Sequence, residues 1–252
     1  MFMYTVTQRA RQYKQPKGGY INPKQFSIIQ NNDNIPLNPV ENINPSNVGT
    51  VVDYLTRFMM GTDKDKAFQI PIWGAMSVKD FDYCYQLLGL VTGLNDDSIF
   101  AACQLAGYDV AYRQGKMYYK PVDEIQPDVA TIENIRTMVN RSLIFWEQYG
   151  PLIMDGFTFE GGYTKIITSG DGDFLTADTL WDFKVLSAAP TNKHTLQLLI
   201  YYLLGTHSVH PEFKNIKRLG IFNPRLNNVY LLDIESIPSE VIQEVSTEVI
   251  GY

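Results

Sequence analysis

The chain has 252 residues, 45% hydrophobic and 13% aromatic, enough for a sizeable packed core in one large domain or two small ones. Its net charge of −6 excludes a general nucleic-acid coating protein and leaves room only for a localised basic groove. Two cysteines exclude a four-cysteine iron–sulfur cluster, and both Cys84 and Cys103 lie in apolar helical patterns that predict buried, reduced thiols.

Residues 1–45 are rich in Asn, Gln, Pro and Gly and read as an irregular arm over the fold. Arg9, Arg11, Lys14 and Lys17 interrupt the start, so it does not resemble a secretory signal. The apolar runs at 87–94 and 196–204 fall far short of the roughly 20 residues that span a bilayer. A soluble, cytoplasmic protein with no membrane partner is the expectation.

Residues 46–130 read as a mainly helical region. Ser46 or Asn44 caps a helix with Val48, Val51, Val52, Leu55, Phe58 and Met59 on its apolar face and Gly61 as its stop. Ser77 to Asp80 has capping-box spacing ahead of Phe81, Tyr85 and Leu88. Another helix is predicted at about 97–106, and the segment from Gly107 to Ile125 reads as two short strands or an irregular link.

From residue 131 to 252 the expected order is helix, three strands, helix, two strands, helix, an α/β arrangement around a mixed sheet. Ile132, Ile135, Met138, Val139, Leu143 and Trp146 form the stripe of the first helix, which Gly150-Pro151 ends. Period-two alternation then runs to Leu186, with turn residues at Gly161-Gly162, at 169–173 and at 176–179. Thr191 or Asn192 caps the next helix, two strands meet at 223–228, and a short amphipathic helix closes the chain.

Asp182 and Lys184 are two apart, so on a strand both leave the same face while Trp181, Phe183 and Val185 leave the other. Asp173 lies in the preceding strand of the inferred hairpin, whose turn folds it back toward Asp182. Two carboxylates with a backbone oxygen and water form a hard oxygen site suited to Mg²⁺ or Mn²⁺. Lys184 would orient or deprotonate an attacking water and stabilise a pentacovalent phosphate.

The ordered set of Asp173, Asp182-Phe183-Lys184 and a helix carrying Gln197 and Tyr201 resembles the PD-(D/E)XK nuclease superfamily, in particular its RecB-like branch. The resemblance runs over roughly 131–202. It implies a restriction-endonuclease-like mixed sheet flanked by helices and a Mg²⁺- or Mn²⁺-dependent nuclease acting on nucleic acid, with DNA the expected substrate. Asp173, Asp182, Lys184, Gln197 and Tyr201 would be its catalytic set, with Asp173 and Asp182 as metal ligands. Family members often add an acid or histidine from the preceding helix, where Glu147 and, less well placed, Glu133 are the candidates. The alternative is a nuclease-fold protein that binds nucleic acid or a protein partner without cleaving, in a phage, plasmid or defence setting. A homo-oligomer is compatible with either.

Between Leu186 and Leu232, Lys193, Lys214, Lys217, Arg218 and Arg225 face a single acid, Glu212, and all three histidines fall there. These cations, with His194, are the expected nucleic-acid contacts. Signatures of P-loop ATPases, zinc proteases and serine hydrolases are missing from the sequence.

Overall fold

A computed structural model describes residues 3–252 as two compact units, 3–31 with 146–252 and 32–145. The division therefore differs from the expected arm, helical region and core. Residues up to 31 belong with the sheet, and the long helix bridges the boundary.

Within residues 3–31, short elements pair with distant parts of the chain. Strand β1 (Tyr4–Thr5) pairs in parallel with a strand near residue 167, and α1 (Val6–Gln12) follows at once, with Thr5 and Gln8 closing a capping box. Val6 and Ala10 are its buried residues. Strand β2 (Ser27–Gln30) is exposed along its whole length, including Ile28 and Ile29, so no apolar alternation marks it in the sequence.

The second unit is helical. Asn44 caps α2 (Pro45–Met59) by accepting from the Ser46 amide, and Val48, Val51, Val52 and Leu55 are buried. After α3 (Lys64–Ala67), α4 (Gln69–Val78) ends at Lys79, whose φ of 64° is left-handed. The expected capping box at 77–80 does not form. Ser77 Oγ donates to Gly74 O, and the Asp80 carboxylate accepts from Tyr108 Oη, so α5 (Phe81–Leu90) starts without a side-chain cap. Helix α6 (Asp96–Ala106) is buried from Ser98 onward except at Phe100. The segment expected as strands or an irregular link instead forms α7 (Asp109–Arg113) and two short 3₁₀ turns, with Tyr54 Oη donating 2.7 Å to Asp109. Cys84 and Cys103 are free and buried, and burial pushes both thiols up to about 12.

Helix α8 (Val129–Tyr149) runs from this unit into the other and stops at Gly150-Pro151. Four strands follow rather than three: β3 (Met154–Phe157), β4 (Ile167–Ser169), β5 (Gly172–Leu175) and β6 (Thr179–Phe183). The extra one, β4, leaves the main sheet to pair with β1. Then come α9 (Asn192–Thr206), β7 (Arg218–Asn223), β8 (Asn228–Asp233) and α10 (Ser239–Glu244), with a wide final turn at Val245–Ile250.

The result is an α/β unit around a mixed six-stranded sheet in the order β2-β8-β7-β6-β5-β3. All neighbours are antiparallel except β6 and β7, which α9 connects as a crossover. Strand alternation sorts the two faces of the sheet. Leu175, Leu180, Leu219 and Ile221 join Leu196, Leu199, Ile200 and Leu203 of α9 in one core. On the other face Trp181 meets Tyr149 at 5.2 Å and Trp146 at 6.3 Å, and Trp146 meets Phe174 at 4.7 Å. A Cβ on Gly220, which pairs with Trp181, would lie 2.3 Å from the indole, so glycine is the residue that leaves room for it. No helix among the described residues is long and apolar enough to cross a membrane.

Candidate active site

The hairpin of β5 and β6 sets the register of the two acids. Phe174 pairs with Trp181 and Leu175 with Leu180, and one further step puts Asp173 opposite Asp182 on the α9 face. Asp173 Oδ2 accepts the Phe183 amide at 2.8 Å, which fixes its carboxylate beside the β6 backbone. Lys184, just past β6, donates from Nζ to Asp182 Oδ1 at 2.8 Å.

Asp182 is fully buried, and its second oxygen, Oδ2, has no hydrogen-bond partner. An unsatisfied buried acceptor costs free energy unless a ligand, or a proton shared with Asp173, supplies the missing partner. Burial raises the Asp182 carboxyl to about 7, with Lys184 opposing the rise and Asp173 adding to it. Lys184 moves upward as well. Burial works against its ammonium, but the charges of Asp182 and Asp173 outweigh that, so it remains cationic at neutral pH.

Helix α9 roofs the site. Gln197 and Tyr201, one turn apart, are both buried, and Gln197 Nε2 donates to Tyr201 Oη at 2.8 Å. The Tyr201 ring stacks on Phe159 with centroids 5.3 Å apart, and burial pushes its hydroxyl upward while Lys184 pulls the other way. Tyr201 is thus at once a core residue and a polar neighbour of the two acids and the lysine. The arrangement offers two hard carboxylates, one fixed cation and a positioned phenol at the carboxyl end of a parallel strand, where α/β sheets commonly bind ligands. Among the described residues no group of three or more His, Cys, Asp or Glu side chains converges, so the two aspartates stand as a pair.

Glu147 does not join that pair. It is exposed on α8, whose neighbouring Trp146 and Tyr149 pack on Trp181, on the face of β6 opposite Asp182. The expected cationic groove also divides. Arg218 pairs with Thr179, at the far end of β6 from Lys184, and binds Asp178 at 2.8 Å, holding that carboxyl below its usual range against the effect of burial. Lys214 and Lys217 lie just before it at the same end. Arg225 sits in the turn after β7, at the Phe183 end.

Lys193 and His194 are on the first turn of α9, where the charge of Lys184 reaches the His194 ring. His194 Nδ1 accepts the Thr191 amide at 3.0 Å, closing a cap in which His takes the place of the usual Glu or Gln. Burial, then the charges of Lys184, Arg11 and Lys193, lower His194 to about 4, so it caps the helix as a neutral imidazole. His207 stacks on Tyr252 at 3.9 Å and His210 Nε2 lies 3.0 Å from Thr158 O, neither among the site residues. Arg11 of α1 was outside the sequence-derived set. Comparison with models of known families, with curated proteins and with solved structures finds no match to this chain.

Proposed function

We propose that the chain is a metal-dependent nuclease with a restriction-endonuclease-like core, hydrolysing phosphodiester bonds of DNA in one step. One observation carries the reading: Asp173, Asp182 and Lys184 meet at the end of β6 with an unsatisfied carboxylate oxygen among them. The order of α8, three sheet strands, α9 and β7, with the last strand parallel to β6, is compatible with that fold.

The donor set fits a hard divalent cation. Asp173 and Asp182 would hold Mg²⁺ or Mn²⁺, and Asp182 Oδ2 gains the partner it lacks. Such an ion neutralises charge on the scissile phosphate and acidifies a bound water. Lys184 stays an ammonium here, so its part is to orient the incoming water and stabilise the pentacovalent phosphate, not to take a proton. The Gln197–Tyr201 pair holds the roof of the site and limits water. Water would attack phosphorus in line and give up its proton to solvent, while the bond to the leaving oxygen breaks and that oxygen takes a proton from solvent.

Because protons compete with the metal for Asp182, Mn²⁺ affinity should rise as pH climbs toward about 7 and level off above it. Calorimetry in buffers of different ionisation enthalpy reads this directly as proton release on binding. An affinity flat between pH 5 and pH 8 on the ordinary carboxylate pattern would remove Asp182 from the ligand set.

A nuclease-fold protein that binds without cutting is favoured by one observation, that Glu147 stays away from the two aspartates. Incubating end-labelled single- and double-stranded DNA with the protein and Mg²⁺ or Mn²⁺, with and without EDTA, separates the two. Cleavage that EDTA abolishes supports the nuclease; binding of metal and DNA without cleavage supports the silent form.

A further inference from the structure

Residues 1–32 contain Arg9, Arg11, Lys14, Lys17 and Lys24 and no Asp or Glu, in a chain of net charge −6. Arg9 serves the fold, since it donates to Val249 O and Glu248 O, each at 2.8 Å, and its guanidinium covers the Tyr13 ring at 4.6 Å. Arg11, Lys14 and Lys17 are exposed, and none forms an ion pair among the described residues.

Arg11 lies in the last turn of α1, and the loop that follows, carrying Lys14 and Lys17, is seated on the first turn of α9. Gln15 Nε2 donates to Asn192 O at 3.0 Å, and the chain at Gly19, with φ of +88°, passes so near that a Cβ there would meet Asn192 Cβ at 2.6 Å. Exposed Lys193 is the next residue, and the charges of Arg11, Lys193 and Lys184 all reach His194. Positive charge from three parts of the sequence therefore converges on the first turn of α9, and Lys184 belongs to the two-aspartate site. The nearby aromatic rings are engaged: Tyr13 lies under Arg9, 6.2 Å from Tyr20, and Tyr20 is buried with its hydroxyl on Glu244. Without a free ring for base stacking, the surface suits phosphates of a duplex better than unstacked bases.

We infer that Arg11, Lys14, Lys17 and Lys193 form a ridge that holds the phosphate backbone of duplex DNA alongside the Asp173, Asp182 and Lys184 site. The inference rests on the phosphodiester reading of that site.

The test is fluorescence anisotropy with a short labelled duplex in EDTA over a salt series, where no cleavage interferes. The full-length Arg11→Ala/Lys14→Ala/Lys17→Ala protein should bind at least about tenfold more weakly at low salt. Its slope of log affinity against log salt should be shallower by about 2 to 3, for three phosphate contacts at roughly 0.9 each. The charge-retaining Arg11→Lys/Lys14→Arg/Lys17→Arg protein should keep the wild-type slope, which separates charge from fold. An unchanged slope in the alanine protein, no duplex binding by the wild type, or a loss confined to single-stranded DNA would overturn the ridge. Binding with the expected slopes but no cleavage would leave the ridge standing and remove the nuclease. Cleavage with an unchanged slope would do the reverse.

Discussion

Asp182→Asn should lower metal-dependent DNA cleavage by at least about 10³-fold while the protein stays folded. The substitution keeps the size of the side chain and removes the charge that would hold a divalent ion, and losing one well-placed electrostatic group already costs about 10² to 10³. The fold should tolerate it, because the amide accepts from Lys184 as the carboxylate does and Asp173 remains as a counter-charge to the ammonium. Asn also does not titrate, so the rise of Mn²⁺ affinity toward pH 7 should vanish with the metal site. Thermal unfolding and near-ultraviolet dichroism check the fold, and calorimetry with Mn²⁺ checks the ligand. A variant that cuts within a few-fold of wild type would show that the chemistry lies elsewhere.

The second large effect is on stability. Trp181→Ala should destabilise the sheet unit by about 3 to 5 kcal/mol, the usual cost of truncating a large buried aromatic. Trp181 is 2% exposed, packs edge-on to Trp146 and Tyr149, and donates from Nε1 to Thr176 Oγ1 at 3.1 Å. That last bond ties the β5–β6 turn to the strand that carries Asp182, so the variant loses support for the site as well as core volume. The void opens beside Gly220, which supplies no side chain to fill it. Denaturant unfolding followed by tryptophan fluorescence measures the change, and a loss under about 1 kcal/mol would contradict the packing described.

Local periodicity made the site legible. Alternation in β5 and β6 put Asp173, Asp182 and Lys184 on one face, and the one-turn spacing of Gln197 and Tyr201 put them on one side of α9. Each of these relations joins residues close in sequence, where geometry follows from the period alone. The relations that were not legible join distant segments. Strand β2 has no apolar alternation, and its partner β8 lies some 200 residues on in the chain, so only the folded sheet reveals it. Helical periodicity could place Trp146 inward on α8 but could not say which face of the sheet would receive it, and that choice removes Glu147 from the two aspartates. The cations of 186–232 were grouped by proximity in sequence, whereas the parallel register of β6 and β7 sends Arg218 to the far end. Arg11, Lys14 and Lys17 lie more than 170 residues before Lys193, yet Gln15, in the loop that carries Lys14 and Lys17, binds Asn192 O, and the Arg11 charge reaches His194. The missed signal was the absence of any acid before Asp33.

The most direct measurement is single-turnover cleavage of labelled DNA with Mn²⁺ by the wild type and Lys184→Met, with Mn²⁺ affinity determined on the same samples. Lys184 meets Asp182 without being a candidate metal ligand, so the variant should still bind Mn²⁺ while cleaving at least about 10²-fold more slowly. Equal cleavage rates in the two proteins, or metal-loaded wild type that cuts no DNA, would contradict the account.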